Sequence, residues 1–306
     1  MGKTKIEWTE YVWNPITGCS VVSAGCKHCY AMRLAGTRLR HHHSRAGLTR
    51  ETSAGPVWTG EVRFNAEWLD QPLHWRKPRR IFVCAHGDLF HESVPYEWID
   101  QVFAVMARAR QHMFQVLTKR PRRMLKYIRG MNPDGLRLRP ISQTRHPWPL
   151  LNVWLGTSVE NQTTADERIP PLLHTPAAVR FISAEPLLGP INLKAIRDVG
   201  AVIDSTRGVW PVWHPLDWII AGGESGPDAR PLHPEWARSL RDQCAAVGLP
   251  FFFKQWGGWL PMLGHAEGVR VGDQKFIHPD GTIMGYAGKR AAGRLLDGRQ
   301  WNEFPG

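Results

Sequence analysis

The sequence predicts an α/β fold, a full or partial (β/α) barrel with a small β-rich C-terminal extension. Two patterns predict it. Short apolar runs of strand length alternate with stretches of helical periodicity, the order that builds a parallel sheet. Each run then breaks into polar residues, and about seven runs occur, more than a small open sheet needs. Periodicity alone does not separate a barrel from a doubly wound sheet.

The elements follow in chain order. Lys5–Trp8 and Tyr11–Trp13 read as short extended pieces leading to the turn Asn14-Pro15. Ala31–Arg40 reads as a helix, Gly47–Pro56 as loop and Trp68–Trp75 as a short helix. Strands are expected at Ile81–Ala85, Phe114–Leu117, Asn152–Gly156, Val179–Ser183, Asp217–Ala221 and Leu249–Phe253. Helices are expected at Tyr96 to about Gln111, Arg122–Arg129, Thr164–Leu173 and His233–Val247; Pro170 and Pro171 should break the third of these. Inserts are expected near 131–150 and 197–214, giving a main domain over 1–259. In the extension, 260–306, Val269–Val271, Lys275–Ile277 and Thr282–Met284 suggest small antiparallel strands around Pro279-Asp280-Gly281.

Composition narrows the function classes. The 306 residues suffice for one large core, and 42% hydrophobic content is ordinary for a globular chain. No apolar run is long enough to span a bilayer and no signal-type segment opens the chain, so a cytoplasmic protein is expected, without a membrane partner. Five cysteines, an odd number clustered at one end, are not a disulfide framework. Lys and Arg outnumber Asp and Glu by 39 to 27, a net +12 that favours a polyanion, nucleic acid first, although merely basic soluble proteins are common. Most of the fifteen tryptophans belong in a core; a few beside arginines could stack on bases.

The segment 18–31 concentrates the chemistry. Cys19, Cys26 and Cys29 are spaced C-x6-C-x2-C, with Gly18 and Gly25 just before the first two. Glycine takes positive φ freely, so the segment can curl and aim several thiols at one point. Thiolates suit zinc or an iron–sulfur cluster. Structural zinc wants four protein ligands; His28 would strain a tetrahedral site beside Cys29. Three cysteines leave one iron of a [4Fe–4S] cluster open to a substrate or cofactor. A disulfide with a spare thiol, or cysteines packed as small hydrophobes, are the plainer alternatives. His41–His43 could bind metal or form a solvated loop.

With these residues in view, the chain resembles the radical S-adenosylmethionine (SAM) superfamily, and more narrowly a phage and prophage three-cysteine family distantly similar to spore photoproduct lyase. The resembling segments are Trp13-Asn14-Pro15-Ile16-Thr17-Gly18-Cys19, Asp88-Leu89-Phe90-His91, Leu117-Thr118-Lys119-Arg120-Pro121 and Trp154 through Glu160. They continue in Glu185 through Pro190, Gly222-Gly223-Glu224-Ser225-Gly226, Lys254-Gln255-Trp256-Gly257 and Ala292 through Gly298, nearly the whole length. Most members of the superfamily use C-x3-C-x2-C, so the longer first gap is a departure. The resemblance implies a barrel of radical SAM type and a [4Fe–4S] cluster on Cys19, Cys26 and Cys29. SAM would bind the open iron and be cleaved to a 5′-deoxyadenosyl radical that abstracts hydrogen from substrate.

It also suggests roles at the strand ends. Gly222, Gly223 and Glu224 suit SAM, although Gly-Gly-Glu alone is also a plain turn. Lys119 would pair with the methionine carboxylate, with Ser158 near it. Asp88, Glu160 and Glu185 would meet ribose or substrate polar groups, Asp88 on the cofactor side and the two glutamates on the catalytic side. Ion pairing to the many arginines is the alternative for all three. Cys84 could donate a hydrogen atom or be a buried structural thiol. Arg120, Arg122, Arg123 and Lys126 suit DNA phosphates or a solvated face.

The expected function is a radical SAM enzyme acting on a thymine-derived base in DNA, rearranging an amino-acid adduct of glycyl type on the 5-methyl carbon during phage thymidine hypermodification. Such an enzyme would be a monomer served by an electron donor such as flavodoxin or ferredoxin, in the cytoplasm of the infected cell if phage-encoded. Photoproduct-type DNA repair is the second enzymatic reading. A non-catalytic nucleic-acid-binding protein with structural zinc or a cluster is the other class, and the polar strand ends argue against it.

Overall fold

A computed structural model describes residues 2–130, 148–207, 215–263 and 268–306. The first expected insert falls largely outside them, at 131–147; of the second, only 208–214 lies outside. The architecture is mixed α/β around one seven-stranded sheet. Its strands are β1 (Tyr11–Trp13), β2 (Arg80–Val83), β3 (Met113–Thr118), β4 (Val153–Ser158), β5 (Val179–Ala184), β6 (Trp218–Gly222) and β7 (Phe251–Gln255). They lie side by side in chain order, β1 and β7 forming the two edges, and every registered pair is parallel. That is the partial form of the expected (β/α) barrel.

The strands read as apolar runs because both faces are covered. Ile81, Val83, Phe114, Val116, Leu155, Phe181, Ile182, Ile219, Ile220 and Phe253 are all fully buried. Two compact units divide the chain: Met1–Thr157 with His174–Arg180, and Ser158–Leu173 with Phe181–Gly306.

In the first unit α1 (Tyr30–Gly36), α2 (Tyr96–Arg108) and α3 (Pro121–Gly130) follow β1, β2 and β3. Ile99, Val102, Phe103 and Met106 form the buried stripe of α2 at helical spacing. Pro95 precedes its first turn, Glu97 lies within that turn, and Arg108 sits in the last, matching the helix dipole. α1 is shorter than the expected Ala31–Arg40. Thr37 leaves helical geometry and its hydroxyl donates to the Arg33 carbonyl at 2.6 Å, closing the helix end. The helix expected over Trp68–Trp75 is two 3-10 turns, Ala66–Trp68 and Gln71–His74, with Pro72 inside the second.

In the second unit α4 (Gln162–Leu173) runs through Pro170 and Pro171 rather than breaking there. Both prolines lie in its last turns and are buried, which offsets the lost backbone bonds. A hairpin of Ile196–Asp198 and Ala201–Ile203 packs on α4. α5 (Pro234–Ala245) joins β6 to β7. After β7 come β8 (Trp259–Pro261), β9 (Lys275–Ile277) and β10 (Ile283–Tyr286), an antiparallel sheet in the order β8-β10-β9. Val269–Val271 is not a strand; β8 takes the third place. Past α6 (Gly288–Ala292), the segment at Trp301–Glu303 pairs with β7: Phe253 N–H donates to the Trp301 carbonyl and Glu303 N–H to that of Phe251. Among the described residues no helix is long and apolar enough to cross a membrane.

Gly18 holds a junction of the first unit. Its φ is +95°, and a Cβ there would lie 2.2 Å from the Glu61 carbonyl oxygen. Gly281 has a similar φ, +88°, with open space around it. Gly281→Ala should cost about 1 kcal/mol from backbone strain alone. Gly18→Ala should cost roughly 3 kcal/mol or more, because the backbone must also move. Urea unfolding of both variants checks the difference.

Candidate metal centre

The cysteine loop leaves β1 through a turn built by the run Trp13 to Cys19. Asn14 accepts the His86 N–H at its side-chain oxygen (3.0 Å), and Gly18 N–H donates to the His86 carbonyl (3.1 Å). Asn65 Nδ2 donates to the Asn14 carbonyl (3.0 Å) and to Thr17 Oγ1 (3.3 Å), while Thr17 donates to the Ser44 carbonyl (2.7 Å). These bonds fix where Cys19 starts. Of the two glycines, Gly18 takes positive φ; Gly25 sits within the 3-10 turn Ala24–Cys26. Cys26 N–H donates to Ser23 and Cys29 N–H to Cys26, so the C-x2-C pair spans consecutive turns, and Cys29 caps α1.

All five cysteines are free thiols. Cys19 and Cys29 pack against the apolar cluster of Ala31, Met32, Ala35, Leu48 and Trp58. Burial pushes the Cys19 thiol up to about 12; Asp88 pushes the same way, Arg120 opposes it, and Cys29 and Cys26 add to the rise. Burial raises Cys29 as well, against the amides of Met32 and Ala31 at the start of α1. The Cys19 thiol therefore feels both others, and the Cys29 thiol feels Cys26. Among the described residues no three His, Cys, Asp or Glu side chains close on a point as around a single metal ion. A cubane cluster spreads its cysteines over separate irons and asks for a wider arrangement. A single loop of three mutually interacting thiols, apolar walls and a cationic neighbour fit that group by donor chemistry.

The cationic neighbour is Arg120. It is buried, and its Nη1 donates to Cys19 Sγ at 3.6 Å and to Asp88 Oδ2 at 3.0 Å. Its Nη2 donates to Ser20 Oγ at 2.6 Å and its Nε to both oxygens of Glu92, at 2.9 and 2.7 Å. His91 Nδ1 accepts the Ser93 N–H, which leaves Nε2 to donate to Ser20 Oγ at 3.0 Å. Asp88 is the hub of these contacts. Its Oδ1 accepts from Phe90 N–H (2.9 Å) and Thr118 Oγ1 (2.7 Å), and its Oδ2 also accepts from Lys119 N–H (3.1 Å).

Several expected roles meet this geometry. Arg120, expected on a phosphate-facing surface, is enclosed by two carboxylates and the cysteine loop. Arg123 donates to the Val94 carbonyl and lies 4.7 Å over the Tyr96 ring, while Arg122 and Lys126 are exposed on α3. Asp88 spends its acceptors on the protein. Lys119 lowers the Cys29 pKa through its charge, which puts its ammonium in the field of the loop. Cys84 is 2% exposed and takes φ +57°, a left-handed conformation rare for its residue type. Its thiol is raised by burial.

The second unit gathers the other strand-end residues. Glu160 is fully buried and paired with Arg168 Nη1 at 3.2 Å; that nitrogen also donates to the Ser158 carbonyl at 2.9 Å. Lys254 Nζ pairs with Glu185. Glu224 receives Arg230 on both oxygens, at 2.9 and 2.7 Å, and the Arg230 N–H at 2.9 Å. Gly223 is required by packing: a Cβ would lie 1.9 Å from the Trp256 carbonyl oxygen. Gly222 O accepts from Leu187 N–H. Ion pairing to arginine, the alternative weighed for Asp88, Glu160 and Glu185, describes Asp88 and Glu160, while Glu185 pairs with a lysine. Ser20, His91 and Glu92 were not singled out by the sequence; the motif Asp88 to His91 carried the only signal, and it names no partner.

The Asp88 hub predicts a stability effect. Asp88→Asn replaces a four-fold acceptor by a group with one accepting oxygen and leaves Arg120 short of charge. The variant should lose about 3–5 kcal/mol, the cost of breaking a buried pair. Glu92→Gln, at a largely exposed partner of the same arginine, should lose under about 1 kcal/mol. Chemical denaturation separates the two.

No curated protein and no solved structure matches the chain. One family model does, over residues 3–305. The chain belongs to the family described as protein of unknown function, DUF5131.

Proposed function

We propose that this chain is a radical SAM enzyme acting on a thymine-derived base in DNA. One observation carries the reading: Cys19, Cys26 and Cys29 sit on one loop at the end of β1, in each other's field, with Arg120 donating to Cys19 Sγ. Cys19, Cys26 and Cys29 would hold a [4Fe–4S] cluster. Together with SAM, that group supplies a carbon radical able to take hydrogen from an unactivated C–H bond. The residues around it do the positioning. Arg120 holds Cys19 in one orientation and offsets thiolate charge, and Asp88 fixes Arg120. Met32, Leu48 and Trp58 give Cys19 and Cys29 an apolar wall. Lys119, whose backbone Asp88 anchors, offers an ammonium for the carboxylate of the methionine moiety. The net charge of +12 and the exposed Arg122 and Lys126 support a DNA substrate. Rearrangement of a glycyl-type adduct on the thymine 5-methyl carbon is the reaction assigned.

Anaerobic reconstitution with iron and sulfide should give about four iron per chain and a broad charge-transfer band. Cys19→Ala, Cys26→Ala or Cys29→Ala should abolish it, and Cys244→Ala, buried elsewhere in the second unit, should not. Stoichiometric zinc on sulfur ligands would end the radical reading. With SAM, dithionite and DNA carrying the adduct, deuterium on the adduct carbon should pass to 5′-deoxyadenosine, read by mass spectrometry.

DNA affinity should fall with salt by roughly 0.9 log units per log unit for each phosphate contact on duplex. Replacing Arg122 and Lys126 by Ala should flatten that slope by about two contacts and leave iron content unchanged. A slope unmoved by both substitutions removes α3 from the DNA surface.

A further inference from the structure

Arg45 carries its charge differently from Arg120. It is 5% exposed, yet no carboxylate pairs with it among the described residues. Its Nε donates to His86 Nδ1 at 3.3 Å, and its Nη1 to the Ser44 hydroxyl at 2.6 Å and the Ser44 carbonyl at 3.3 Å. Burial, then the charge of Arg63, lowers its pKa to about 10. Arg63 in turn donates to the carbonyls of His43 and Ala46. Glu67, on the neighbouring 3-10 turn, is engaged by His43 at 2.9 Å. Two guanidiniums thus share one region with only neutral acceptors. Buried charge without a counter-ion is costly, and an arriving anion recovers that cost.

His86 orients Arg45. An arginine can only donate, so His86 Nδ1 accepts, and the ring is neutral with its proton on Nε2. Burial, with Arg45 adding, holds the ring pKa down at about 4, so this tautomer persists at neutral pH. Nε and Nη2 share one edge of a guanidinium. Arg45 Nη2 therefore projects beside the His86 ring, and no acceptor among the described residues takes it. His86 and Arg63 are both half-buried. Tyr30 meets the His86 ring edge-on at 5.9 Å, its hydroxyl tied to the Ala85 carbonyl at 2.7 Å.

We propose that Arg45 and Arg63 form a binding site for a phosphate group beside the cysteine loop, with His86 holding Arg45 in place. Guanidinium matches phosphate in geometry as well as charge, and the His86 acceptor orients Arg45 without adding charge. His86 accepts the Gly18 N–H at its carbonyl, so the site is joined to the residue that precedes Cys19. That the phosphate belongs to the DNA strand bearing the substrate base rests on the functional reading above; the site itself does not.

The test uses the full chain without iron. Inorganic phosphate is titrated by calorimetry against sodium chloride of matched ionic strength, then a short single-stranded oligonucleotide. Arg45→Met and Arg63→Gln should each weaken phosphate roughly ten- to a hundredfold. Without phosphate, Arg45→Met should melt at or above the parent temperature, because an uncompensated charge has gone. A lower melting temperature with phosphate affinity intact makes Arg45 structural and overturns the site. Should Arg45→Met fail to fold, Arg63→Gln, at a half-buried side chain, carries the test alone. Parallel loss of oligonucleotide affinity assigns the phosphate to a strand. Loss for inorganic phosphate alone keeps the site and counts against DNA as its source. Affinity unchanged in both variants, or no phosphate binding by the parent chain, overturns the proposal.

Discussion

The carboxylate of Asp88 is the constraint on which the first unit's strand ends depend. One side chain joins the turn after β2, the end of β3, the first residue of the next loop and, through Arg120, the cysteine loop. A buried ion pair is only as good as its completeness, since desolvation of both charges must be recovered in full. Here each oxygen of Asp88 accepts two bonds, and Arg120 spends its donors on Asp88, Glu92, Ser20 and Cys19. The loop is therefore hung from a rigid support.

The second unit uses its acids in another way. Glu160, Glu185 and Glu224 each face a single cation: Arg168, Lys254 and Arg230. These pairs neutralise the strand ends locally. The excess of basic residues is then left to surfaces such as α3, and to the region of Arg45 and Arg63. Arg120, by contrast, serves two acids, Asp88 and Glu92.

The sheet was legible because a strand covered on both faces must be apolar throughout, as Ile81–Val83 and Ile219–Ala221 are. α2 was legible by its stripe. The C-terminal strands were less so. β8 lies in Trp259–Pro261, where a proline and a tryptophan give no alternation, while Val269–Val271 alternates and forms no strand. The cysteine spacing marked the loop, but Gly25 does not use the positive φ that its identity permits. Hardest to read were the partnerships. Arg120 meets Cys19 across 101 residues and Asp88 across 32. Nothing local to either residue distinguishes a buried guanidinium from one that waits for a phosphate. The same blindness hides Arg45, whose significance lies in having neutral partners.

The pairing of Trp301–Glu303 with β7 has a consequence for how the chain is made. β7 ends at Gln255, and its outer neighbour is encoded about forty-five residues later. At translation speeds of roughly 5–20 residues per second, that edge waits several seconds for its partner. During the wait a hydrophobic strand, Phe251-Phe252-Phe253, presents unpaired backbone on the nascent chain. The sheet is thus completed late and from downstream.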